Sequence, residues 1–482
     1  AGDSQDQRRE LLARQADLAV TLAEVDQLVG PLRRTLEGAA GPPDPAAEPQ
    51  LPGDPDQWKR YATASAQLRG WIDRVAAGRD LVPLDFPPLL PTTEIRDRLT
   101  SRQRLLSFAW TEAGLYGCLE ATKQAAVWQV KQPVAVRKAM AALAKSLCLY
   151  HPLKPVLSDR LASAAWQDQL AELAELLFEG SGISLARHEE FDELVVVPDG
   201  LLWYLPFELL PVGPAEEDHP DVTGTLRLHD VCQLRYCPTR SLAVSRRRFP
   251  PAEPLVAVYQ GAAFRGDSPE RAAAALTRFT SGVRGSVCLS PTAAKTPAAL
   301  AASLADTVAV FDDLTARPGE NSRPLVAAVA GRPGLSLADW LVPPPKAARC
   351  VVLTGLQTQF SAVPAKEPGR AGADLFQAAM DLAAAGAETM VLSRWNVGGQ
   401  VALDLGISFL QDRQGSEDHG PPPPAAVSWR RAVRLVTAER PDFQREPRLQ
   451  LTRDQIPADA THPFFWAGYT LIDCGLLPEA PL

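Results

Sequence analysis

Cysteine and histidine are the side chains of this chain that could carry covalent or metal chemistry, and it has seven of the first and six of the second. A thiol is a weak nucleophile until deprotonated, and a neighbouring imidazole can take its proton or hold the thiolate. Such chemistry needs one of each brought together at the end of a strand or helix. Cys118, Cys148, Cys232, Cys237, Cys288, Cys350 and Cys474 are odd in number and scattered through mostly apolar stretches. That pattern reads as reduced, buried thiols in a cytoplasmic protein rather than as a disulfide frame. There is no Cys-x-x-Cys pair and the histidines are dispersed, so nothing supports a metal site. Other chemistries find no better footing. A Walker loop and a Gly-x-Ser-x-Gly elbow are both missing, and Gly369-Arg-Ala-Gly-Ala-Asp374 fails the dinucleotide fingerprint. No cofactor is expected.

Length and charge narrow the field further. The 482 residues suit about three domains of ordinary size, or one large domain with an appendage. Hydrophobic residues make up 46% and charged residues 22%, which allows a sizeable core under an ordinary surface. The net charge of -8 argues against nucleic acid as a partner, because phosphate binding needs a basic face. The one dense basic run, Arg246-Arg247-Arg248, reads as a solvated loop. The start, Ala1-Gly2-Asp3-Ser4-Gln5, is polar and gives no secretory signal. No run of about eighteen apolar residues would cross a membrane. Ala1 in place of a methionine hints at a fragment of a longer chain or a processed form, and the alanine and proline usage looks like a high-GC, bacterial coding bias.

The elements that would position any chemistry follow from periodicity. Leu11, Gln15, Leu18, Leu22, Val25 and Val29 step by four and three, which predicts a helix over residues 4–29, interrupted at Gly30-Pro31. A second stripe, Trp58, Tyr61, Ser65, Leu68, Ile72 and Val75, follows a linker over 41–55. The two predict an antiparallel hairpin that packs on the next domain, with a coiled coil to a partner as the other reading. A second linker spans 81–94. Leu105–Phe108, Leu115–Leu119 and Val127–Val130 read as short strands, followed by helices over 134–149 and 161–178. Beyond that, strand and helix alternate. The runs at 194–197, 255–259, 286–289, 307–311, 350–353 and 390–393 are short, continuous and rich in β-branched residues. Such runs between helices predict a mostly parallel sheet buried on both faces. Helices are predicted over 298–305 and 371–385, and an exposed insertion over 416–424. The expected organisation is an N-terminal helical region with proline-rich linkers over 1–94, then one α/β domain over 95–482. In that domain strands and helices over 95–190 precede a core over 191–482.

Four segments, in order, carry a resemblance. They are Leu194-Val-Val-Val-Pro-Asp-Gly-Leu-Leu-Trp-Tyr-Leu-Pro-Phe-Glu-Leu-Leu210, Arg235-Tyr-Cys-Pro-Thr-Arg-Ser-Leu242, Gly386-Ala-Glu-Thr-Met-Val-Leu-Ser-Arg-Trp-Asn-Val397 and His462-Pro-Phe-Phe-Trp-Ala-Gly-Tyr469. Each alone is weak, and together they resemble the CHAT family, a branch of the caspase and separase superfamily, over about residues 100–482. Pro198-Asp199-Gly200 is also explained as a plain turn formula, and Trp203, Tyr204 and Phe207 as packing. His462, before Pro463, reads as a structural contact.

The resemblance implies a caspase-like fold and two catalytic positions. Peptidases of the family place a histidine in an Ala-Thr-His-Gly segment after one strand, and a cysteine in Leu-Ser-Ala-Cys-Glu-Thr-Gly after a later one. Val308-Ala-Val-Phe-Asp-Asp-Leu-Thr-Ala-Arg-Pro-Gly-Glu-Asn321 matches the first and puts Asp313 at the histidine. Val351-Val-Leu-Thr-Gly-Leu-Gln-Thr-Gln359 matches the second and puts Leu356 at the cysteine. Leu356 has no nucleophilic atom, and a carboxylate with an ordinary pKa near 3.9 is a poor acceptor for a thiol proton. No histidine lies between His229 and His419, and Cys350, the cysteine nearest to Leu356, is six residues back, about 20 Å along a strand. A slip of register therefore does not restore the pair. Gly398-Gly399 also stand where the family often has two acids. The expectation is a non-catalytic CHAT protein that acts through a protein partner, within a longer chain carrying TPR-type repeats. The alternative is an active cysteine endopeptidase with a relocated His/Cys dyad. Thr354, Gly355, Gln357, Arg394 and Trp395 are the candidates to line a retained crevice.

Overall fold

The apolar runs become the strands of one large sheet, seen in a computed structural model. It describes residues 16–41, 52–77, 89–147, 156–185, 190–214, 224–245, 254–260, 269–289, 304–311, 348–356, 371–395, 399–415, 423–439 and 461–475, with short pieces at 314–315, 325–326, 358, 360, 442, 445–446 and 449–450. The eleven strands are β1 (Gln103–Thr111), β2 (Gly114–Glu120), β3 (Ala125–Gln129), β4 (Glu193–Val197), β5 (Gln233–Tyr236), β6 (Val256–Gln260), β7 (Ser286–Leu289), β8 (Thr307–Phe311), β9 (Cys350–Leu353), β10 (Thr389–Ser393) and β11 (Tyr469–Asp473). Their spatial order is β7-β6-β8-β9-β10-β11-β5-β4-β1-β2-β3.

The direction of the strands divides the sheet. β7, β6, β8, β9 and β10 are parallel, and β11 closes that set antiparallel to β10, with Ser393 opposite Tyr469. On the other flank β5, β4 and β1 run parallel to β11, and β1, β2 and β3 form an antiparallel meander. The seam between the two sets, β11 against β5, is registered at a single pair, Ile472 opposite Tyr236. Every residue of β8, β10 and β11 is buried. That is why these segments read as unbroken apolar runs and not as alternating ones. β3, by contrast, exposes three of its five residues.

Helices cover the faces. α1 (Ala16–Gly38) and α2 (Pro55–Ala77) pair with one another, as do α3 (Pro133–Ser146) and α4 (Ala165–Phe178). α5 (Pro269–Gly282), α6 (Ala373–Ala384) and α7 (Gly399–Gln414) flank the parallel set, α8 (Ala425–Ala438) packs on β5 and β11, and α7 packs against both α5 and α8. The chain is therefore α/β, with a mostly parallel central sheet flanked by helices and an N-terminal helical region.

Several local expectations need correction. α1 does not break at Gly30-Pro31 and runs through Pro31 to Gly38. A mid-helix proline costs about 3 kcal/mol, and here the ring sits on the exposed face while Val25, Leu28, Leu32 and Leu36 bury a stripe on both sides of it. The buried seam is Leu18, Thr21, Val25, Leu28, Leu32 and Leu36, which leaves Leu22 and Val29 as its half-buried flanks. Residues 4–15 of the predicted helix lie outside the described residues, as do 298–303 and 416–422. Residues 81–88 of the second linker also lie outside the described residues, and its last three begin a short helix, Thr92–Arg98. The hairpin is antiparallel, with Arg60 3.9 Å from Glu24, and it docks on the sheet. Arg33 pairs with Asp306 at 2.5 Å, just before β8, and the Gly41 amide donates to the Ser286 carbonyl at the start of β7.

Candidate functional site

The carboxyl ends of the parallel strands are where an open α/β sheet leaves its crevice. β8, β9 and β10 end at Phe311, Leu353 and Ser393. Asp313 and Gln357 lie outside the described residues. Thr354, Gly355 and Leu356 follow β9 directly and all three are buried. Leu356 is only 1% exposed, and its carbonyl accepts a hydrogen bond from Ser393 Oγ at 2.8 Å. The chain end of β9 is thus tied to that of β10 through the residue expected at the nucleophile position. The Thr354 hydroxyl is buried and has no hydrogen-bond partner among the described residues. Thr358 Oγ1 donates to the Arg394 carbonyl, a second tie between the same two ends.

Arg394 does not open onto a crevice. Its side chain is 0% exposed and turns inward to the seam of the sheet. Nη1 donates to Glu208 Oε1 at 2.9 Å and to the carbonyls of Ala467 at 2.9 Å and Tyr469 at 3.2 Å. Nη2 donates to Glu208 Oε2 at 3.1 Å and Thr470 Oγ1 at 3.2 Å. The guanidinium lies 4.7 Å over the Tyr236 ring, and the Tyr236 hydroxyl donates to the second Glu208 oxygen. Burial opposes the charge on Arg394, but Glu208 and Tyr236 outweigh it and hold the guanidinium pKa above its ordinary value. Burial pushes the Tyr236 phenol well up, so it stays a donor. A fork-shaped cation against a carboxylate that also accepts from a phenol is a buried internal ion pair. Glu208 belongs to the Leu205-Pro-Phe-Glu208 segment. An acid inside an unbroken apolar run was the only sequence signal that it needed a buried cation.

Trp395 is buried as well and turns the other way. Its ring lies 5.1 Å from Phe360, which meets Tyr204 edge-on at 5.3 Å. The Tyr204 hydroxyl donates to Asp374 Oδ1 at 2.7 Å, in the first turn of α6. Close approach makes this corner possible. Gly372 has φ +82°, and a Cβ there would sit 1.9 Å from the Gly200 carbonyl oxygen. The Pro198-Asp199-Gly200 turn therefore packs directly on the start of α6. Thr354, Gly355, Arg394 and Trp395 do meet at the ends of β9 and β10, and they do so as packed, buried groups.

Two histidines are among the described residues, and neither faces this corner. His462 Nδ1 accepts from the Phe464 amide at 3.1 Å, and burial lowers its pKa to about 4. His229 Nδ1 lies 3.0 Å from the Glu208 carbonyl, its ring is tilted against that of Trp466 at 4.9 Å, and burial lowers its pKa. His229 shares a small pocket with Cys232. Burial pushes that thiol up to about 12, and it donates to the Leu228 carbonyl at 3.3 Å. No group of three or more metal-ligating side chains occurs among the described residues, and no described helix is long and apolar enough to cross a membrane.

Solved structures give distant likenesses. Two crystal structures of the Saccharomyces cerevisiae separase–securin complex align over 87% of this chain at 8% identity, with TM-scores of 0.42 and 0.44. The chain spans about a third of those separase chains, 34% and 33%. No curated protein matches it. The family model of the CHAT domain matches residues 158–473, from the turn before α4 through the last residue of β11, and with that match over more than half its length the chain belongs to the CHAT family.

Proposed function

We propose that this chain is a CHAT protein without peptidase chemistry, which acts in the cytoplasm through contact with a protein partner. The observation that carries this reading is Leu356. The residue at the nucleophile position is apolar and buried, and its backbone is held by Ser393. A thiol peptidase needs the reverse: an ionisable, accessible group next to a proton acceptor. The sequence register supports the same reading by placing Asp313 where the family has its histidine. Under this proposal Thr354, Gly355 and Trp395 maintain the shape of the corner, Arg394 braces it from inside, and Gln357 contributes to the contact with a ligand. The segment over 1–94 acts as a helical platform for the domain over 95–482, and the whole suits a longer chain with TPR-type repeats.

The competing reading is a peptidase with a relocated dyad. Among the described residues His229 and Cys232 are the pair that share a pocket. Their pKa shifts run the wrong way for a thiolate–imidazolium couple, since burial disfavours both charged forms. The test is native labelling of the whole chain with an electrophilic, cysteine-directed peptide probe, followed by peptide mapping. The proposal expects no stoichiometric label on the folded protein, and none on Leu356→Cys beyond slow background alkylation. One cysteine labelled fully in the native state and lost on mild denaturation would overturn it in favour of the relocated dyad.

A further inference from the structure

Cys237 and Cys474 are each found just past the end of a strand at the seam, Cys237 after β5 and Cys474 after β11. Their sulfurs are 3.8 Å apart, across 237 residues of sequence, and both carry thiols. The two backbones diverge from there, because the Cys237 amide donates to the Val196 carbonyl and the Cys474 amide to the Glu388 carbonyl. Each cysteine is thus anchored to a different half of the sheet. The halves themselves are joined sparsely, by one registered pair and by side chains. Arg235 Nη1 donates to the Asp473 carbonyl at 2.6 Å and its Nη2 to the Ala243 carbonyl at 3.0 Å. Arg394 reaches Glu208 across the same seam. No pair of strands elsewhere in the main sheet is registered so briefly.

We propose that Cys237 and Cys474 are an oxidative modification site: a dithiol that a small peroxide converts to a disulfide, clasping the two halves of the sheet at their weakest junction. The sulfurs, now 3.8 Å apart, would close to about 2.0 Å. Cys474 is 7% exposed and Cys237 fully buried, so Cys474 meets the oxidant. Its thiolate attacks one peroxide oxygen, the O–O bond breaks, and the sulfur becomes a sulfenic acid as the other oxygen leaves as hydroxide and takes up a proton to form water. The Cys237 thiolate then attacks that sulfur, the S–O bond breaks, and a second water leaves. Two thiols lose two electrons and two protons in all, and hydrogen peroxide is reduced to two waters. A reducing cytoplasm keeps the pair as thiols, so the clasp closes only under oxidative load and reopens by thiol exchange.

The test treats the purified full chain with hydrogen peroxide, traps remaining thiols by alkylation under denaturing conditions, and maps the peptides by mass. The expected product is a Cys237–Cys474 cross-linked peptide 2 Da lighter than the two thiol peptides. Oxidation should also raise the unfolding temperature by several degrees, with dithiothreitol reversing the rise and Cys237→Ser abolishing it. Cys118→Ser and Cys288→Ser should change neither result. Cross-linking read on the unmutated chain keeps the test valid if a variant fails to fold. Sulfinic or sulfonic products on separate residues, or a Cys237 that is still alkylated after Cys474 has been oxidised, would overturn the proposal.

Discussion

Arg394 offers the sharpest perturbation of this fold. Its two terminal nitrogens make five hydrogen bonds, two of them to Glu208, inside a corner that water does not reach. Summing charge-assisted bonds at about 1.5–3 kcal/mol each would overshoot, because the cost of drying both ions is set against them. Breaking a buried pair by removing one partner instead costs about 3–5 kcal/mol, since the other charge stays buried and alone. That is a large share of the roughly 5–15 kcal/mol that holds a domain together. Arg394→Met should therefore lower the urea midpoint of the transition seen by tryptophan fluorescence by the equivalent of about 3–5 kcal/mol at neutral pH. Arg394→Met combined with Glu208→Leu should recover at least half of the loss, with Tyr236 still able to donate to the Leu205 carbonyl at 3.4 Å. A single variant within about 1 kcal/mol of the parent, or a double variant worse than both singles, would refute an ion pair that braces the seam.

Further outcomes follow from other buried groups. Burial lifts Glu446 to about 8, against 4.5 for a free glutamate, and its Oε1 accepts from the Val401 amide at 2.9 Å. The folded protein therefore binds a proton that the unfolded chain releases between those values, and stability falls with rising pH across that window by about 1.4 kcal/mol per unit. Glu446→Gln should flatten that slope in denaturation curves recorded from pH 5 to 8, and an unchanged slope would contradict the assignment. His462 works in the opposite sense: with its pKa lowered to about 4, it contributes stability above pH 6.5 that is lost as acid protonates it. His462→Asn keeps an acceptor for the Phe464 amide and should remove the loss between pH 6.5 and 4 in thermal melts. Gly372→Ala meets the Gly200 carbonyl at 1.9 Å, whereas Gly182→Ala, at φ +71°, has nothing within 4 Å. The first should abolish soluble expression and the second should cost about 1 kcal/mol. Equal losses would mean that backbone strain, and not the close approach, decides Gly372.

The sheet was legible in the sequence because its strands are buried on both faces. Thr307–Phe311 and Cys350–Leu353 show as unbroken apolar runs, and the structure places them within a residue of where they read. Several helices were not read, α7 and α8 among them. α7 buries Val401, Ala402, Leu403, Leu405, Gly406, Ile407, Phe409 and Leu410, nearly all round, so it has no stripe to detect. α8 does have one, with Ala425, Ala426, Trp429, Ala432, Val433 and Val436 buried at steps of three and four, but four prolines next to it drew the reading toward a loop. β11 was hidden inside a motif that ended at its first residue. At the candidate site, the placement of Leu356 and Arg394 just past two strands came from the family resemblance, anchored on the apolar runs before them. Their surroundings were not legible, because Arg394 and Glu208 are 186 residues apart and no periodicity links them. The inward turn of Arg394 follows from that pairing, and the outward arginine expected from the motif gives way to it.

The docking of the hairpin has a consequence for anyone who would shorten this chain. The family match begins at residue 158, which invites a cut that discards everything before it. Such a cut would remove β1, β2 and β3 from the sheet and leave β4 as a bare edge. A gentler cut at residue 95 would keep the sheet and still take away Arg33. Asp306 would then face water where it now meets a cation, while its Oδ2 goes on accepting the Leu255 amide at 3.1 Å. The Ser286 carbonyl on the outermost strand would lose the Gly41 amide that now covers it. An uncovered strand edge is a template for pairing with other chains, so the first helices act as a hem on the sheet, and a trimmed protein should be judged first by whether it stays monodisperse.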